Sequence, residues 1–349
     1  MEIHTIGIDL AKTIFHLVGV NARGEVVMRK KCSRNQLLRF TANLRVSLIG
    51  MEACGGSHFL GRALRDQGHD VRLMPAQYVK PYVKTNKNDY IDAEAIAEAV
   101  TRPSMRFVPI KTDDQLDLQS LHRVRERWVG RRTAVINQIR GMLLERGITV
   151  RKGRRHIEES LPGIVEDSDN KLSGALRALL TELQLEMQYL SRQVEESDKL
   201  ILRIASELEP CRRLVAIPGI GPVIATATIA AIGNGAAFKK GRGFAAWLGV
   251  VPGEHSTGGK QTLTETSRRG NRYLRKLFVQ GAHAVLQKRT SQPVGLSTWL
   301  VQLTTRKRIQ VAAVALANKL ARMVWAVLYK GEAYRPPLLP QTCRSLACN

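Results

Sequence analysis

Aromatic residues are scarce, at 5% of the chain, so a grip on nucleic acid built mainly from many base-stacking platforms is excluded. Acids are also scarce: 30 aspartates and glutamates face 54 lysines and arginines, a formal charge of +24. That imbalance disfavours acidic partners and favours a polyanion, nucleic acid before anionic membrane. Cysteine is sparse and odd in number, with Cys32, Cys54, Cys211, Cys343 and Cys348 in no paired metal-ligand spacing. This pattern predicts reduced thiols and a cytoplasmic location, in the cytosol or on the nucleoid. No apolar core of signal-peptide length opens the chain. The longest apolar stretch, 214–233, is crowded by Pro218, Gly219, Gly221 and Pro222, so no membrane span is expected. Internal repeats and low-complexity tracts are lacking as well.

What remains is long and apolar enough, at 349 residues and 44% hydrophobic, for two or three domains with real cores. Residues 1–112 alternate strand and helix signals. Runs at 3–10, 15–20 and 26–31 are β-rich, the last two joined by a turn at 21–24; strands follow at 46–51 and 71–75. Helices are predicted over 57–67, stopped by Gly68, and over 92–100. This order defines an α/β class. Residues 113–209 change character. A long, arginine-studded helix is predicted over 115–147, with Arg131, Arg132 and Arg140 as candidate phosphate contacts. A basic link and a break at Pro162–Gly163 come next. From Leu172 onward Leu176, Leu179, Leu183, Met187, Leu190, Val194, Ile201 and Ile204 recur in steps of three, four and seven. That stripe fits a coiled-coil arm joining protomers, or equally a bundle packed within one chain. Residues 210–332 read as mostly helical and basic: between Lys239 and Arg308 stand fourteen lysines and arginines against Glu254 and Glu265 alone. Residues 333–349, with Pro336, Pro337 and Pro340, are expected to be irregular.

Four acids carry the first chemical signal. Asp9 lies in the apolar strand Ile6-Gly7-Ile8-Asp9, where burying a carboxylate is costly unless compensated. Glu52 ends the apolar run closing at Met51. Asp89 and Asp92 are three apart, on one face of a helix if one begins there. Singly, each has a bland reading as a strand-end or helix-start acid. Together they can converge at one sheet edge, where carboxylates repel unless hard cations such as Mg²⁺ hold them. Two such ions about four ångströms apart activate a nucleophile and stabilise a leaving oxygen at phosphorus.

A second group lies downstream. In Ile217-Pro218-Gly219-Ile220-Gly221-Pro222 a tight turn between helices, with Gly219 and Gly221, suits a helix–hairpin–helix that offers backbone N–H groups to a phosphate. The stretch from Gly249 to Lys260 places Ser256 in a glycine-rich loop near Lys260; a serine there attacks phosphorus if its proton is removed. It is not a Walker loop, because Gly259 stands where that motif requires lysine. Arg268, Arg269, Arg272 and Arg275 then crowd a helix start fit to grip phosphates.

The order strand-Asp, strand-Glu, helical Asp pair resembles the ribonuclease H-like fold of RuvC-type resolvases. The whole set (GIDLAK, MEACG, KNDYIDAEAIAEA, IPGIGPVIA, WLGVVPGEHSTGGK and SRRGNRYLRK) resembles the DEDD transposases of bacterial insertion sequences, the insertion-sequence 110 and 1111 groups, with pilin-gene invertases as relatives. The resemblance implies an RNase H-like N-terminal domain, a helical arm and a helical C-terminal transposase domain. It implies Mg²⁺, two ions per site, on Asp9, Glu52, Asp89 and Asp92, and a covalent link from Ser256, or its neighbour Thr257, to a DNA 5′ phosphate. It further implies double-stranded DNA at element ends and target, a structured bridge RNA, and a dimer or tetramer in which one protomer's acids meet another's serine. Two competitors stand beside it: a junction-resolving nuclease with the same acids and water as nucleophile, and a non-catalytic nucleic-acid-binding protein.

Overall fold

A computed structural model describes residues 2–45, 48–84 and 88–336, and the chain folds as two compact units, Met1–Asp114 and Gln115–Asn349. The first unit is built on a five-stranded sheet. Its strands are β1 (Thr5–Leu10), β2 (Ile14–Val20), β3 (Val26–Ser33), β4 (Leu48–Glu52) and β5 (Asp70–Met74), in the order β3-β2-β1-β4-β5. The first three form an antiparallel meander, and β4 and β5 join β1 in parallel. Crossover helices serve the parallel half: α1 (Arg34–Ala42) leads from β3 to β4 and α2 (Ser57–Asp66) from β4 to β5. A short α3 (Ala76–Val79) and a 3₁₀ turn precede α4 (Asp89–Ala99). The sequence reading missed α1, although Ser33 and Gln36 form a capping box at its start.

Side-chain alternation decides which face each helix covers. Ile6, Ile8, Leu17, Ile49 and Met51 share one core with Leu37 of α1 and with Leu60 and Leu64 of α2. The opposite face presents Gly7 and Gly50, and α4 lies directly on them. A Cβ on Gly7 would stand 2.0 Å from the Ala93 carbonyl oxygen, and one on Gly50 would stand 2.8 Å from Val100 Cβ. Alanines 93, 95, 97 and 99, all buried, complete this close seat.

Among the described residues the second unit is helical apart from one hairpin. Helices α5 (Asp113–Leu144), α6 (Arg154–Glu166) and α7 (Gly174–Glu207) share a core of Val135, Ile139, Ile157, Leu161, Leu180 and Leu190. The expected break at Pro162 does not occur: α6 runs through it, because the lost N–H bond costs less than burying Ile157 and Leu161 gains. The stripe on α7 packs almost wholly within the chain. Met187, Leu190, Val194 and Ile201 are buried within the chain, and of the stripe Leu179 alone is exposed; Leu185 and Leu202, outside the stripe, are exposed as well.

Then come α8 (Glu209–Val215), α9 (Pro222–Ile232), α10 (Gly241–Leu248), the hairpin β6 (Pro252–Thr257) and β7 (Lys260–Thr266), α11 (Arg272–Gln287), α12 (Val294–Arg306) and α13 (Ile309–Lys330). By length and composition α13 could cross a membrane, but Leu316, Leu320 and Val324 sit in the core with Phe244 and Phe278. Residues expected as a separate arm, 113–209, fall in the same compact unit as 210–332. A buried polar chain helps tie them together. His122 of α5 lies 3.0 Å from both Thr226 of α9 and Tyr273 of α11, and Arg125 bonds Asp198 of α7 at 2.6 Å. Of the expected irregular tail, residues 333–336 carry no regular structure and 337–349 lie outside the described residues.

Candidate active site

The strand register fixes where the acids stand. Asp9 pairs with His16 across β1 and β2, and Ile8 pairs with Met51 across β1 and β4, so Asp9 and Glu52 follow at the same level. With a period of two, both lie on the face of Gly7 and Gly50, the one that α4 covers. The Asn88 side chain caps α4 by accepting from the Tyr90 N–H, which begins the helix at Asp89 rather than at Asp92. Asp89 and Asp92 therefore occupy its first turn, where the helix dipole favours negative charge.

Electrostatics show that these acids sense one another. Burial pushes the Asp9 carboxyl above its usual range, Asp92 and Asp89 push it further, and His16 and the Leu10 backbone N–H oppose them. Glu52 is raised by burial, then by Asp9 and Asp92. The Cys54 thiol is raised by burial and by the same two acids, Glu52 and Asp9. Among the described residues no lysine or arginine is ion-paired with any of the four acids.

One residue that the sequence reading missed joins them. His16 Nδ1 is buried, lacks a hydrogen-bond partner among the described residues, and lies 3.4 Å from Asp89 Oδ2. One donor atom each from Asp9, His16 and Asp89 falls within 4.8 Å of the others. Repelling carboxylates beside an orphaned ring nitrogen form a donor set that fits a divalent cation. The signal was present in β2, where a polar residue interrupts Phe15-His16-Leu17-Val18.

Ser256 belongs to the second unit. The expected glycine-rich loop is a β-hairpin: Thr257 pairs with Lys260 across a two-residue turn in which Gly258 and Gly259 have φ of 57° and 78°. Two successive positive φ values are what such a turn demands, and Gly-Gly supplies them. The Ser256 hydroxyl donates to Glu254 Oε1 at 2.6 Å, and bonds from Ser256 and Gln261 hold the Glu254 carboxyl below its ordinary range. Strand alternation places Thr257 on the opposite face of β6 from Glu254 and Ser256. The hairpin's base is tightly seated, since a Cβ on Gly270 would stand 1.7 Å from the Trp247 carbonyl oxygen.

The expected phosphate contacts separate into two groups. Arg140 donates to the carbonyls of Arg151 and Gly153, and Arg275 to those of Leu248 and Arg269; both hold loops in place. Gly219, at φ 82°, is pressed against α11, where a Cβ would meet Gly281 O at 2.8 Å. Gly221 at the α9 N-cap faces open space. Lys260, Arg268, Arg269 and Arg272 are exposed, Arg132 is half-buried, and exposed Arg131 bonds Glu186 at 2.7 Å.

A mixed sheet with acids at the ends of β1 and β4 and in the first turn of α4 is joined in one chain to a basic helical unit. Residues 6–147 match the IS110-type DEDD family described as "Transposase", and residues 211–294 match the "Transposase IS116/IS110/IS902 family". The chain is 44% identical over 96% of its length to all of a "Probable family 20 transposase" of Pseudomonas aeruginosa. It is 41% identical over 94% of its length to 98% of the transposase for insertion sequence element IS1328 of Yersinia enterocolitica. Against 92% of the transposase for IS1111A of Coxiella burnetii it is 39% identical over 96% of its length. The chain belongs to the IS110-type DEDD transposases of insertion sequences.

Proposed function

We propose that Asp9, Glu52, Asp89 and Asp92 are the acids of this transposase, that they hold Mg²⁺, two ions per site, and that Ser256 is its nucleophile. The carrying observation is that acids stand at the ends of β1 and β4 and in the first turn of α4, where burial raises Asp9 and Glu52 and the charge of neighbouring acids raises them further. The strand order with three antiparallel and two parallel members supports an RNase H-like reading of the first unit. Bound there, the divalent ions would supply charge to neutralise phosphate oxygens. The chain's own groups do the rest. Asp9 and Glu52, at the ends of rigid strands, fix position; Asp89 and Asp92 close the site from the helix; His16 offers a nitrogen beside Asp89.

In this reading the Ser256 oxygen attacks phosphorus, the P–O3′ bond breaks, and a 3′-hydroxyl leaves with a proton. A 5′-phosphoserine remains, and attack by another 3′-hydroxyl reforms the diester and releases the serine, so no ATP is needed. Glu254, which already accepts the Ser256 proton in a hydrogen bond, is placed to take it. That bond, absent for Thr257 on the other face, favours Ser256. Guidance by a bridge RNA, assembly into a homo-oligomer through the exposed part of α7, and phosphate contacts from Gly221, Lys260, Arg268, Arg269 and Arg272 complete the proposal. The charge of +24 suits two polyanions, and exposed Leu179 and Leu185 suit a partner helix.

The test is a labelled element-end DNA with wild type, Ser256→Ala and Thr257→Ala, read by denaturing gel and peptide mapping. A DNA-linked peptide containing Ser256, lost only in Ser256→Ala, is expected. Clean cleavage by Ser256→Ala with no adduct in the wild type would establish water as the nucleophile, the chemistry of a junction-resolving nuclease.

A further inference from the structure

The second unit contains a cavity of about 1000 Å³ among α10, α12, α13 and residues 332–335, which none of the proposed chemistry uses. Lys240, Arg242, Lys319, Arg322, Lys330 and Arg335 line it, against one acid, Glu332. Among the described residues none of these six cations is ion-paired. Six like charges crowded around one acid repel one another, an arrangement that an entering anion relieves.

The walls are also aromatic, which a plain phosphate site does not need. Trp299, Trp325 and Tyr334 line the cavity in a chain with only four tryptophans. The Lys319 ammonium sits over the Trp299 ring as a cation–π pair, 4.4 Å from its centroid. Trp325 is locked: its Nε1–H donates to the carbonyls of Gly235 and Phe238, and its ring stacks on Tyr329 at 4.9 Å. The Tyr334 hydroxyl is buried with no hydrogen-bond partner among the described residues. Burial and the neighbouring Arg322 pull the Lys319 ammonium down, as expected where cations crowd without a counter-charge.

We propose that this cavity is a binding site for an unpaired nucleotide of a single-stranded nucleic acid, its base against the tryptophans and its phosphates on the surrounding lysines and arginines. A base reaches an aromatic wall inside a pocket only when it is out of the duplex stack, so paired DNA is excluded from the interior. The volume lies at the upper end of what small-ligand pockets provide, room for a nucleotide with its flanking phosphates. The site is independent of the Ser256 and carboxylate readings.

The test uses the full-length protein with eight-nucleotide oligothymidylate and oligouridylate, each carrying one photoactivatable iodouracil, at physiological salt. Crosslinks should map to peptides containing Trp299, Trp325 or Tyr334 and be competed by unlabelled single strands, not by duplex of equal length. Trp299→Ala should weaken binding roughly tenfold, the loss of one stacked base. The exposed pair Arg322→Gln/Lys330→Gln, which leaves the core untouched, should weaken it comparably and flatten its salt dependence. The stronger of the DNA and RNA arms identifies the strand. Unchanged binding in both variants, crosslinks elsewhere only, or equal competition by heparin and duplex would overturn the proposal.

Discussion

Replacing Asp9 by asparagine should make the metal-free protein more stable while removing its response to divalent cations. An Asp9 oxygen and an Asp89 oxygen lie within 4.8 Å of each other. Two unit charges at that distance repel by about 3 kcal/mol at an effective dielectric near 20. The Asp89 side chain is 56% exposed, and solvent screening reduces this to about 1–2 kcal/mol. Asparagine keeps an oxygen for the Leu10 N–H that now bonds Asp9, so the substitution removes charge without orphaning a donor. For a domain of about 100 residues, each kcal/mol shifts the midpoint by roughly 4–8 °C.

The assay is thermal unfolding in chelator, with hydrogen exchange of the β1 and α4 amides reporting on the first unit. In chelator Asp9→Asn should melt several degrees above wild type. A cation at 100 times its dissociation constant should then raise wild type by about 2.7 kcal/mol and leave the variant nearly unmoved. The pH dependence has a definite sign. Asp9 and Glu52 are raised in the folded state, so the folded chain binds protons more readily. Their destabilisation is present at neutral pH and is relieved as pH falls through the raised values. If Asp9→Asn is less stable than wild type in chelator and responds equally to cation, the four-acid site is wrong.

His122 should make the second unit acid-sensitive. Burial holds its imidazole down at about 4, so its contribution is present above the unfolded value of 6.5 and is lost as pH falls toward 4, by roughly 2–3 kcal/mol; in His122→Gln this slope should vanish from denaturant melts. Gly219→Ala should destabilise by about 2 kcal/mol or more, because φ is 82° and the new methyl would stand 2.6 Å from Val285 Cγ2. Urea titration checks it, and a neutral result would mean that α11 is not pressed on the turn. Charges at Leu183 and Leu190 should unfold the helical bundle, since Leu190 is fully buried within the chain, whereas charges at Leu179 and Leu185 should leave it folded and lower the mass measured by light scattering.

The first unit was largely legible in the sequence because its signals are local. β-rich and apolar runs marked every strand, and the register then set Asp9 and Glu52 at one level of the sheet. His16 was missed because a histidine in a buried strand is ordinarily satisfied by its neighbours; only the facing Asp9 and Asp89 make it more. The hairpin carrying Ser256 was misread as a loop, though Gly258-Gly259 between alternating polar runs is a hairpin signal. Composition misled there, because both strands are exposed and lack the apolar face that usually reveals a strand. Arg140 and Arg275 looked like phosphate contacts because sequence shows a cation and hides the carbonyls that it holds. That the α7 stripe packs almost wholly within the chain was not legible either: periodicity identifies a face, not what covers it.

The seat of α4 on Gly7 and Gly50 has a consequence for how this site can drift. If the four acids form the proposed metal cage, the gap between strand acids and helix acids is a thickness, set by two missing side chains. A methyl at either glycine would wedge the helix off the sheet and widen the cage from behind, with all four acids intact. On that reading the two glycines act as shims: they bear no side chain that could bind an ion, yet they set how closely the helix acids approach the strand acids.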